Sequence, residues 1–226
     1  MAFQEELQRL QAQALEGLDM VVVTLERTME ALEQQDVELA QMVVQDDDRL
    51  DGRYLEVHQG ILSLLARQAP VATDLRLVAA LLDVIKHVER MGDQCVNIAK
   101  LIPLSGHEPP RHRALVETLV EMGRLSGALV QQAGRAFAER DVALAEDLVA
   151  RDVAVNQLNR ECFRLALEAG DDPDAREWAM MMLLAARNLE RIGDNAVDIG
   201  EQTAFVVTGL FREFTDASRP AVIGPR

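Results

Sequence analysis

Three acidic side chains in the segment LERIGDNAVDIGEQ, residues 189–202, have the spacing of a cation-binding stripe. Glu190, Asp194 and Asp198 follow one another at intervals of four residues, which places them on one side of an α-helix. Like charges at this spacing repel each other by about 0.2–0.5 kcal/mol. A bound cation would offset that repulsion, and so would arginine side chains such as Arg187 and Arg191 on the same helix.

A second copy of this segment occurs earlier in the chain. Residues 87–100 (HVERMGDQCVNIAK) align with residues 188–201 (NLERIGDNAVDIGE) at an offset of 101. A glycine lies between the two acids in both copies, and a mid-helix glycine predicts that another helix or a bound group comes close. The alignment pairs Glu89 with Glu190, Asp93 with Asp194 and Asn97 with Asp198.

The helices that precede these segments carry a matching polar pattern. Residues 36–51 align with residues 141–156 at an offset of 105. This alignment pairs Asp47 with Asp152 and Asp51 with Asn156. Consecutive helices of an up-down-up bundle are antiparallel neighbours, so the two polar stripes of each half would face each other. An oxygen-bound hard or borderline cation would neutralise such a cluster, and pairing with flanking arginines is the alternative.

Long periodic apolar segments, separated by proline and glycine, position these acids. Only 4% of the 226 residues are aromatic, and Leu, Val and Ala dominate the apolar positions, which favours an all-α fold. The sequence predicts six long helices in two tandem antiparallel three-helix bundles. The predicted helices cover about residues 3–33, 36–68, 73–101, 112–138, 141–169 and 173–208. The predicted repeats are residues 1–104 and 105–215, with a linker at 102–111 and a flexible tail at 216–226.

Charge and hydropathy exclude several classes of protein. The net charge of -15 at pH 7 opposes binding to nucleic acid, because both molecules are acidic. The longest apolar run, residues 179–186, is shorter than the roughly 18 residues of a membrane span, so no membrane insertion is predicted. The N-terminal segment lacks the pattern of a signal peptide, which predicts a cytoplasmic protein. Cys95 and Cys162 are predicted to be buried, reduced thiols.

The sequence carries no catalytic motif. A ferritin-like di-iron centre requires Glu-x-x-His pairs, and none of the four histidines has a glutamate three residues before it. The GxxxxGK(S/T), GxGxxG and GxSxG patterns of nucleotide-binding proteins and hydrolases are missing as well. The chain is therefore predicted not to be an enzyme.

The residues around the acids resemble a known family. Residues 65–100 (LARQAPVATDLRLVAALLDVIKHVERMGDQCVNIAK) are similar to the signature of the PhoU family of phosphate-transport regulators, with its ArgGln-x-Pro, ThrAspLeuArg and GluArg-x-GlyAsp elements. Residues 188–201 resemble the same core, and the resemblance covers about residues 3–215. It implies two tandem three-helix bundles related by internal pseudo-twofold symmetry.

The resemblance also implies a function and partners. Members of this family are cytoplasmic negative regulators. When phosphate is plentiful, they help a phosphate ABC transporter to hold a sensor histidine kinase in its inhibitory state, and they restrain uptake. We therefore expect a helical adaptor that contacts the ATP-binding subunit of the transporter and the kinase, forms a homodimer, and reaches the membrane only through its transporter partner.

Some members of the family bind multinuclear iron or zinc clusters through E(D)xxxD motifs. The matching positions here are Asp47, Asp51, Glu89 and Asp93 in the first half and Asp152, Asn156, Glu190 and Asp194 in the second. Asn156 replaces a charged ligand with a neutral one, so the second site is expected to bind metal more weakly unless Asp198 compensates. Asp198 is thus either a replacement ligand or an ordinary surface acid.

Two alternatives compete with the adaptor. A metal-dependent enzyme acting on phosphate compounds would need an open coordination position and a general base, and the sequence identifies neither. A helical scaffold that dimerises through an exposed helix face would need neither a metal nor a catalytic group.

Overall fold

The computed structural model of the chain describes residues 2–105, 112–170 and 172–214. These residues form seven helices and no strand, and the all-α fold with two three-helix repeats is confirmed. The helices are α1 (Ala2–Gln34), α2 (Val37–Gln45), α3 (Asp47–Arg67), α4 (Ala72–Leu104), α5 (Arg113–Glu139), α6 (Val142–Leu167) and α7 (Pro173–Thr208).

Aspartate side chains begin the middle helix of each repeat. Asp36 accepts a hydrogen bond from the backbone N–H three residues on, at 2.9 Å, and Asp141 accepts the equivalent bond at 3.0 Å. Asp172 caps α7 in the same way. These carboxylates satisfy N–H groups that have no partner within the helix. The helix starts predicted at these three positions agree with the structure for that reason.

The helix predicted over residues 36–68 is interrupted at Asp46, between α2 and α3. The Asp46 carboxylate pairs with Arg27 of α1 at 2.6 Å, and this hydrogen bond holds the pKa of Asp46 below its usual range. Two further acids follow directly, and their charge favours the start of a helix over its interior. The second repeat has Arg151 at the equivalent position, paired with Asp147 within α6. Helix α6 is continuous through this position.

Four helices form the centre of the molecule. Helix α1 packs on α4, α4 on α7, α7 on α5, and α5 on α1. Helices α2 and α3 pack outside on α1 and α4, while α6 packs outside on α5 and α7. Within the described residues, α1 does not touch α7 and α4 does not touch α5, so the α1–α5 and α4–α7 contacts lie on opposite faces. The buried apolar side chains of both repeats form one continuous core.

The α4–α7 contact follows the internal symmetry of the chain. Gln94 and Asn195 are equivalent residues of the two copies, both are buried, and Asn195 Nδ2 donates to Gln94 Oε1 at 3.4 Å. Elsewhere along the contact, the Arg76 guanidinium donates to the Val206 carbonyl at 3.3 Å. Arg76, near the start of α4, contacts Val206 near the end of α7, whereas Gln94, further along α4, contacts Asn195, which comes earlier in α7. The two helices are therefore antiparallel.

The predicted linker and tail are only partly covered by the structure. The linker was predicted to start at residue 102, whereas α4 continues to Leu104 with Pro103 in its last turn. Ile102 is fully buried, and its packing in the core keeps this turn helical. Residues 106–111 of the linker and the predicted tail at 216–226 lie outside the described residues.

Both cysteines are buried free thiols, as the sequence predicted. Burial raises the pKa of Cys95 and of Cys162 to about 12, so both thiols stay protonated at neutral pH. In the part of the chain that the structure describes, no helix has the length and apolar character needed to cross a membrane.

Helices α6 and α7 come into close contact at Gly200. A Cβ atom there would lie 2.8 Å from Leu148 Cδ1 and 3.1 Å from the Ala145 carbonyl oxygen. We therefore expect Gly200→Ala to lower the free energy of unfolding by about 1–3 kcal/mol, because overpacking outweighs the better helix propensity of alanine.

Gly127→Ala is the matched control for this prediction. A Cβ atom at Gly127 would meet only Leu25, at 3.7 Å, so the substitution should raise the free energy of unfolding by up to about 1 kcal/mol. Urea unfolding followed by circular dichroism measures both variants. Equal effects of the two substitutions would contradict the contact assigned to Gly200.

Candidate functional site

The first candidate site lies between the start of α3 and the middle of α4. Asp47 and Asp51 occupy the first two turns of α3, and Glu89 and Asp93 lie one turn apart on α4. A Cβ atom at Gly92 would lie 3.7 Å from Oδ1 of Asp47. The same Cβ atom would lie only 2.8 Å from Leu50 Cδ1, so the glycine lets Leu50 bring α3 close to α4. The Asp47 carboxylate consequently lies against α4 between the two acids of that helix.

The carboxyl groups of this first site act on one another electrostatically. Partial burial raises the pKa of Asp47 above its ordinary value, and the charges of Asp51 and Asp93 raise it further. Burial is also the largest cause of the raised pKa of Glu89. The charge of Asp93, and then that of Asp51, raise it further. Because a raised carboxyl pKa means that the ionised form is disfavoured, a cation bound among these oxygens would relieve the repulsion.

The equivalent site of the second repeat lies between α6 and α7. Asp152 is 4% exposed, and its Oδ1 would lie 2.5 Å from a Cβ atom at Gly193, so the carboxylate rests directly on α7. Asn156 Nδ2 donates to Asp152 Oδ2 at 2.6 Å, and this amide takes the place of a fourth acid. Glu190 forms an ion pair with Arg187 in the preceding turn. Two of the predicted ligands, Asn156 and Glu190, are therefore engaged within the protein.

An acidic cavity of about 380 Å³ opens one turn further along α7. Five carboxylates line it, from α6, α7 and the segment after α7: Asp152, Asp194, Asp198, Glu201 and Glu213. Phe214 also lines the cavity, and its backbone N–H donates to Glu201 Oε1. This hydrogen bond holds the segment after α7 against the cavity. The second candidate site is thus displaced toward the C-terminal end of α7 relative to the first.

Sequence reasoning missed two of these carboxylates. Glu201 could have been identified from the sequence, because it continues the series of Asp194 and Asp198 by one more helical turn. No sequence pattern identifies Glu213, because it follows the end of α7 at Thr208. Only the tertiary structure brings it to the cavity.

Asp198 also reaches the first repeat. Its Oδ2 lies 3.8 Å from Nδ1 of the buried His87 on α4, and the same Nδ1 lies 2.7 Å from Asn195 Oδ1. Asn195 Nδ2 donates to the Arg191 carbonyl at 2.6 Å, so the amide oxygen is the acceptor and His87 Nδ1 carries the proton. Asp198, which is half exposed, therefore lies between the second candidate site and the α4–α7 contact, and its role as a replacement ligand stays a prediction.

A second cavity, of about 400 Å³, lies at the α4–α7 contact. The residues that line it are four pairs at the 101-residue offset of the duplication: Arg90 with Arg191, Asp93 with Asp194, Gln94 with Asn195 and Asn97 with Asp198. The cavity therefore lies on the pseudo-twofold axis between the repeats. Asp194 and Asp198 line both cavities, so the polar surface is continuous from the second site to the axis.

The donor set of both sites suits a hard cation, although the side chains would have to turn to bind one. Within residues 2–105, 112–170 and 172–214, no three His, Cys, Asp or Glu side chains meet in an arrangement that could hold a metal ion. The available donors are carboxylate oxygens, which bind hard cations better than the softer Zn²⁺. Metal binding at the residues named from the sequence therefore stays a prediction.

Comparison with known proteins matches both repeats to one family. The PhoU domain model matches residues 15–102 and again residues 119–203. A phosphate-specific transport system accessory protein PhoU homolog of Clostridium acetobutylicum is 30% identical over 216 residues, covering 95% of this chain and 98% of that protein. A protein of the same description from Zymomonas mobilis is 32% identical over 209 residues, covering 92% of this chain and 87% of that protein.

Two crystal structures have the same fold. PhoU from Pseudomonas aeruginosa aligns with a TM-score of 0.82 at 29% identity, over 92% of this chain and 100% of that one. The phosphate transport system regulatory protein PhoU from Streptococcus pneumoniae aligns with a TM-score of 0.83 at 25% identity, over 93% of this chain and 99% of that one.

The coupling within the first site makes a prediction about pH. Asp51→Asn should lower the pKa of both Asp47 and Glu89, because the charge of Asp51 raises each of them. A carboxyl group whose folded-state pKa is raised destabilises the fold above that pKa, and the penalty disappears as the pH falls through it. We expect Asp51→Asn to stabilise the metal-free protein at pH 7 by about 0.2–0.5 kcal/mol. This gain should vanish below the ordinary carboxyl pKa of about 4.

Carbon-13 NMR titration of the carboxyl groups measures both pKa values. Asp48→Asn is the control, since the charge of Asp48 raises the pKa of Asp47 and is not among the charges that raise that of Glu89. A Glu89 pKa that is the same in Asp51→Asn and the parent protein would show that α3 and α4 do not bring these groups together.

Proposed function

The chain belongs to the PhoU family, and we propose that it is a cytoplasmic negative regulator of phosphate uptake and phosphate-starvation signalling. Its relatives are named as accessory and regulatory proteins of phosphate transport rather than as enzymes. The chain is accordingly a regulator associated with phosphate transport, and the alternative of a metal-dependent enzyme is set aside.

The finer role that we propose is that of a helical adaptor. It would contact the ATP-binding subunit of a phosphate ABC transporter and a sensor histidine kinase. The observation that carries this proposal is the pair of PhoU domain matches on two repeats that share one core. Two related sets of helical faces on one core can hold two partners at a fixed separation.

We further propose that the carboxylate sites bind a metal, such as a multinuclear iron or zinc cluster. Asp47, Asp51, Glu89 and Asp93 would hold it in the first repeat, and Asp152, Asp194 and Asp198 in the second. The raised pKa values of Asp47 and Glu89 support a bound cation in the first site. All-oxygen ligation favours Fe³⁺ over Zn²⁺, because the named ligands are hard oxygen donors and Fe³⁺ is the harder cation.

Deleting the gene for this chain tests the regulatory role. In high phosphate, the deletion strain should express a phosphate-starvation reporter at the level normally seen in low phosphate, because the inhibitory signal is lost. Complementation with the parent gene should restore repression. A gene carrying Glu5→Gln and Glu177→Gln, two exposed acids outside the candidate sites, should restore it equally well. A reporter that stays silent in the deletion strain would contradict the proposal.

Metal analysis of the purified protein tests the metal proposal separately. After loading with Fe³⁺ or Zn²⁺, the double substitution Glu89→Gln with Asp93→Asn should weaken binding at the first site by at least about tenfold, because it removes two ligands. Asp198→Asn should weaken only the second site, and Asp48→Asn should leave the metal content unchanged. Failure of the parent protein to take up any metal, measured by elemental analysis, would refute this proposal but not the regulatory one.

A further inference from the structure

A continuous groove runs between α1 and α5, on the face opposite to the α4–α7 contact. Two cavities, of about 480 and 440 Å³, occupy it, and both are lined by Val22 and Gln131. Along α1 the groove extends from Leu15 to Glu33, which is roughly 27 Å at the rise of an α-helix. We call this feature the α1–α5 groove.

The floor of the groove is apolar. Its α1 side chains Leu18, Val22, Leu25 and Met29 are at most 7% exposed, so the accessible part of the floor lies at the small residues of α5. The α1 side contributes Leu15, Leu18, Val22, Leu25 and Met29. The α5 side contributes Gly123, Gly127, Ala128, Gly134 and Ala138. Met29 occupies the space beside Gly123, where its Cγ would lie 2.6 Å from an added Cβ atom. At Gly127 the atom nearest to an added Cβ would be 3.7 Å away. Space for apolar side chains of another molecule is therefore greatest around Gly127.

One wall of the groove is acidic. Asp19, Glu26, Glu30 and Glu33 are exposed and form one stripe along α1. The ion pairs of α1 within the described residues involve other side chains, namely Glu6, Arg9, Glu16 and Arg27. The α5 wall offers little compensation near Glu26, Glu30 and Glu33, because Arg124 is already paired with Glu121. Arg135 lines the other end of the groove, beside Asp19.

We propose that the α1–α5 groove binds a basic amphipathic helix of a partner protein. The length and apolar floor of the groove suit a helix laid along it with one apolar face inward. Lysine and arginine side chains at the edge of that helix would face the acidic wall at Glu26, Glu30 and Glu33. The inference concerns the chemistry of the bound segment and does not depend on the regulatory role proposed above.

Charge argues against a second copy of this chain as the occupant. Each copy carries a net charge of -15, and a symmetric contact at this groove would place two acidic walls close together. The homodimer expected from the family resemblance would therefore use another face.

A synthetic peptide tests the groove on the full chain. The probe is a fluorescein-labelled 18-residue helical peptide with leucine along one face and lysine along the other, and fluorescence anisotropy measures its binding. We expect saturable binding that weakens with salt. The triple substitution Glu26→Gln, Glu30→Gln and Glu33→Gln should weaken it by at least about tenfold at low salt, because it removes the charge that faces the lysines.

Two further variants separate the groove from general attraction between opposite charges. Substituting three exposed acids elsewhere, Glu5→Gln, Glu146→Gln and Glu177→Gln, removes the same charge and should leave the affinity within about twofold of the parent value. Gly127→Leu should abolish binding without loss of charge, because its side chain fills the groove while its Cβ atom meets only Leu25. Circular dichroism confirms that each variant is folded.

In the peptide assay, four results would overturn the proposal. They are the absence of saturable binding to the parent protein, equal binding of a peptide with glutamate in place of lysine, equal weakening by the two triple substitutions, and unchanged binding to folded Gly127→Leu. Light scattering tests whether a second copy of this chain occupies the groove instead. If Gly127→Leu dissociates a dimer of the parent protein, the groove is an interface between copies of this chain and the proposal fails.

Discussion

The close approach of paired helices at Gly92 and Gly193 is the constraint on which both candidate sites depend. A Cβ atom would lie 2.8 Å from Leu50 Cδ1 at Gly92 and 2.5 Å from Asp152 Oδ1 at Gly193. At Gly193 the absence of a Cβ atom lets the Asp152 carboxylate rest on α7. At Gly92 it lets Leu50 bring α3 close to α4, and Asp47 lies against α4 as a result. Burial and mutual repulsion then act on the same groups, which is why the pKa values of Asp47 and Glu89 are raised together.

Duplication preserved this packing but not the charges around it. The first site keeps four acids, whereas in the second the amide of Asn156 donates to Asp152 and Glu190 pairs with Arg187. The second repeat instead assembles its acids one turn further along α7, around Asp198. The same divergence shapes the backbone, since the acid that ends α2 in the first repeat is an arginine in the continuous helix α6. Helix packing accommodates the buried Asn156 because its amide donates to Asp152, and it accommodates Arg151 because that side chain is more than half exposed.

The sequence predicted those features that depend on local pattern or on the comparison of the two halves. Apolar periodicity, aspartate caps and the duplication gave the helices, their order and the facing acidic stripes. The interruption at Asp46 was not predictable in this way, because it depends on an ion pair with Arg27, a residue distant in sequence. The contribution of Glu213 to the second site was unpredictable for the same reason, because it depends on a contact formed only in the tertiary structure. The cavity on the pseudo-twofold axis and the α1–α5 groove exist only because the two repeats pack side by side, and no pattern within one repeat contains that information.

The four-helix centre gives the molecule two faces of different chemistry. On the α4–α7 face, Arg90 and Arg191 lie among the carboxylates of the axial cavity, so positive and negative groups are mixed and the surface favours small ions. On the α1–α5 face, the acids at Glu26, Glu30 and Glu33 border an apolar groove, a combination that favours a larger amphipathic surface of opposite charge. Because the two contacts lie on opposite faces of one core, occupying one face leaves the other accessible. The separation would allow the proposed ion sites and the proposed partner groove to be occupied at the same time.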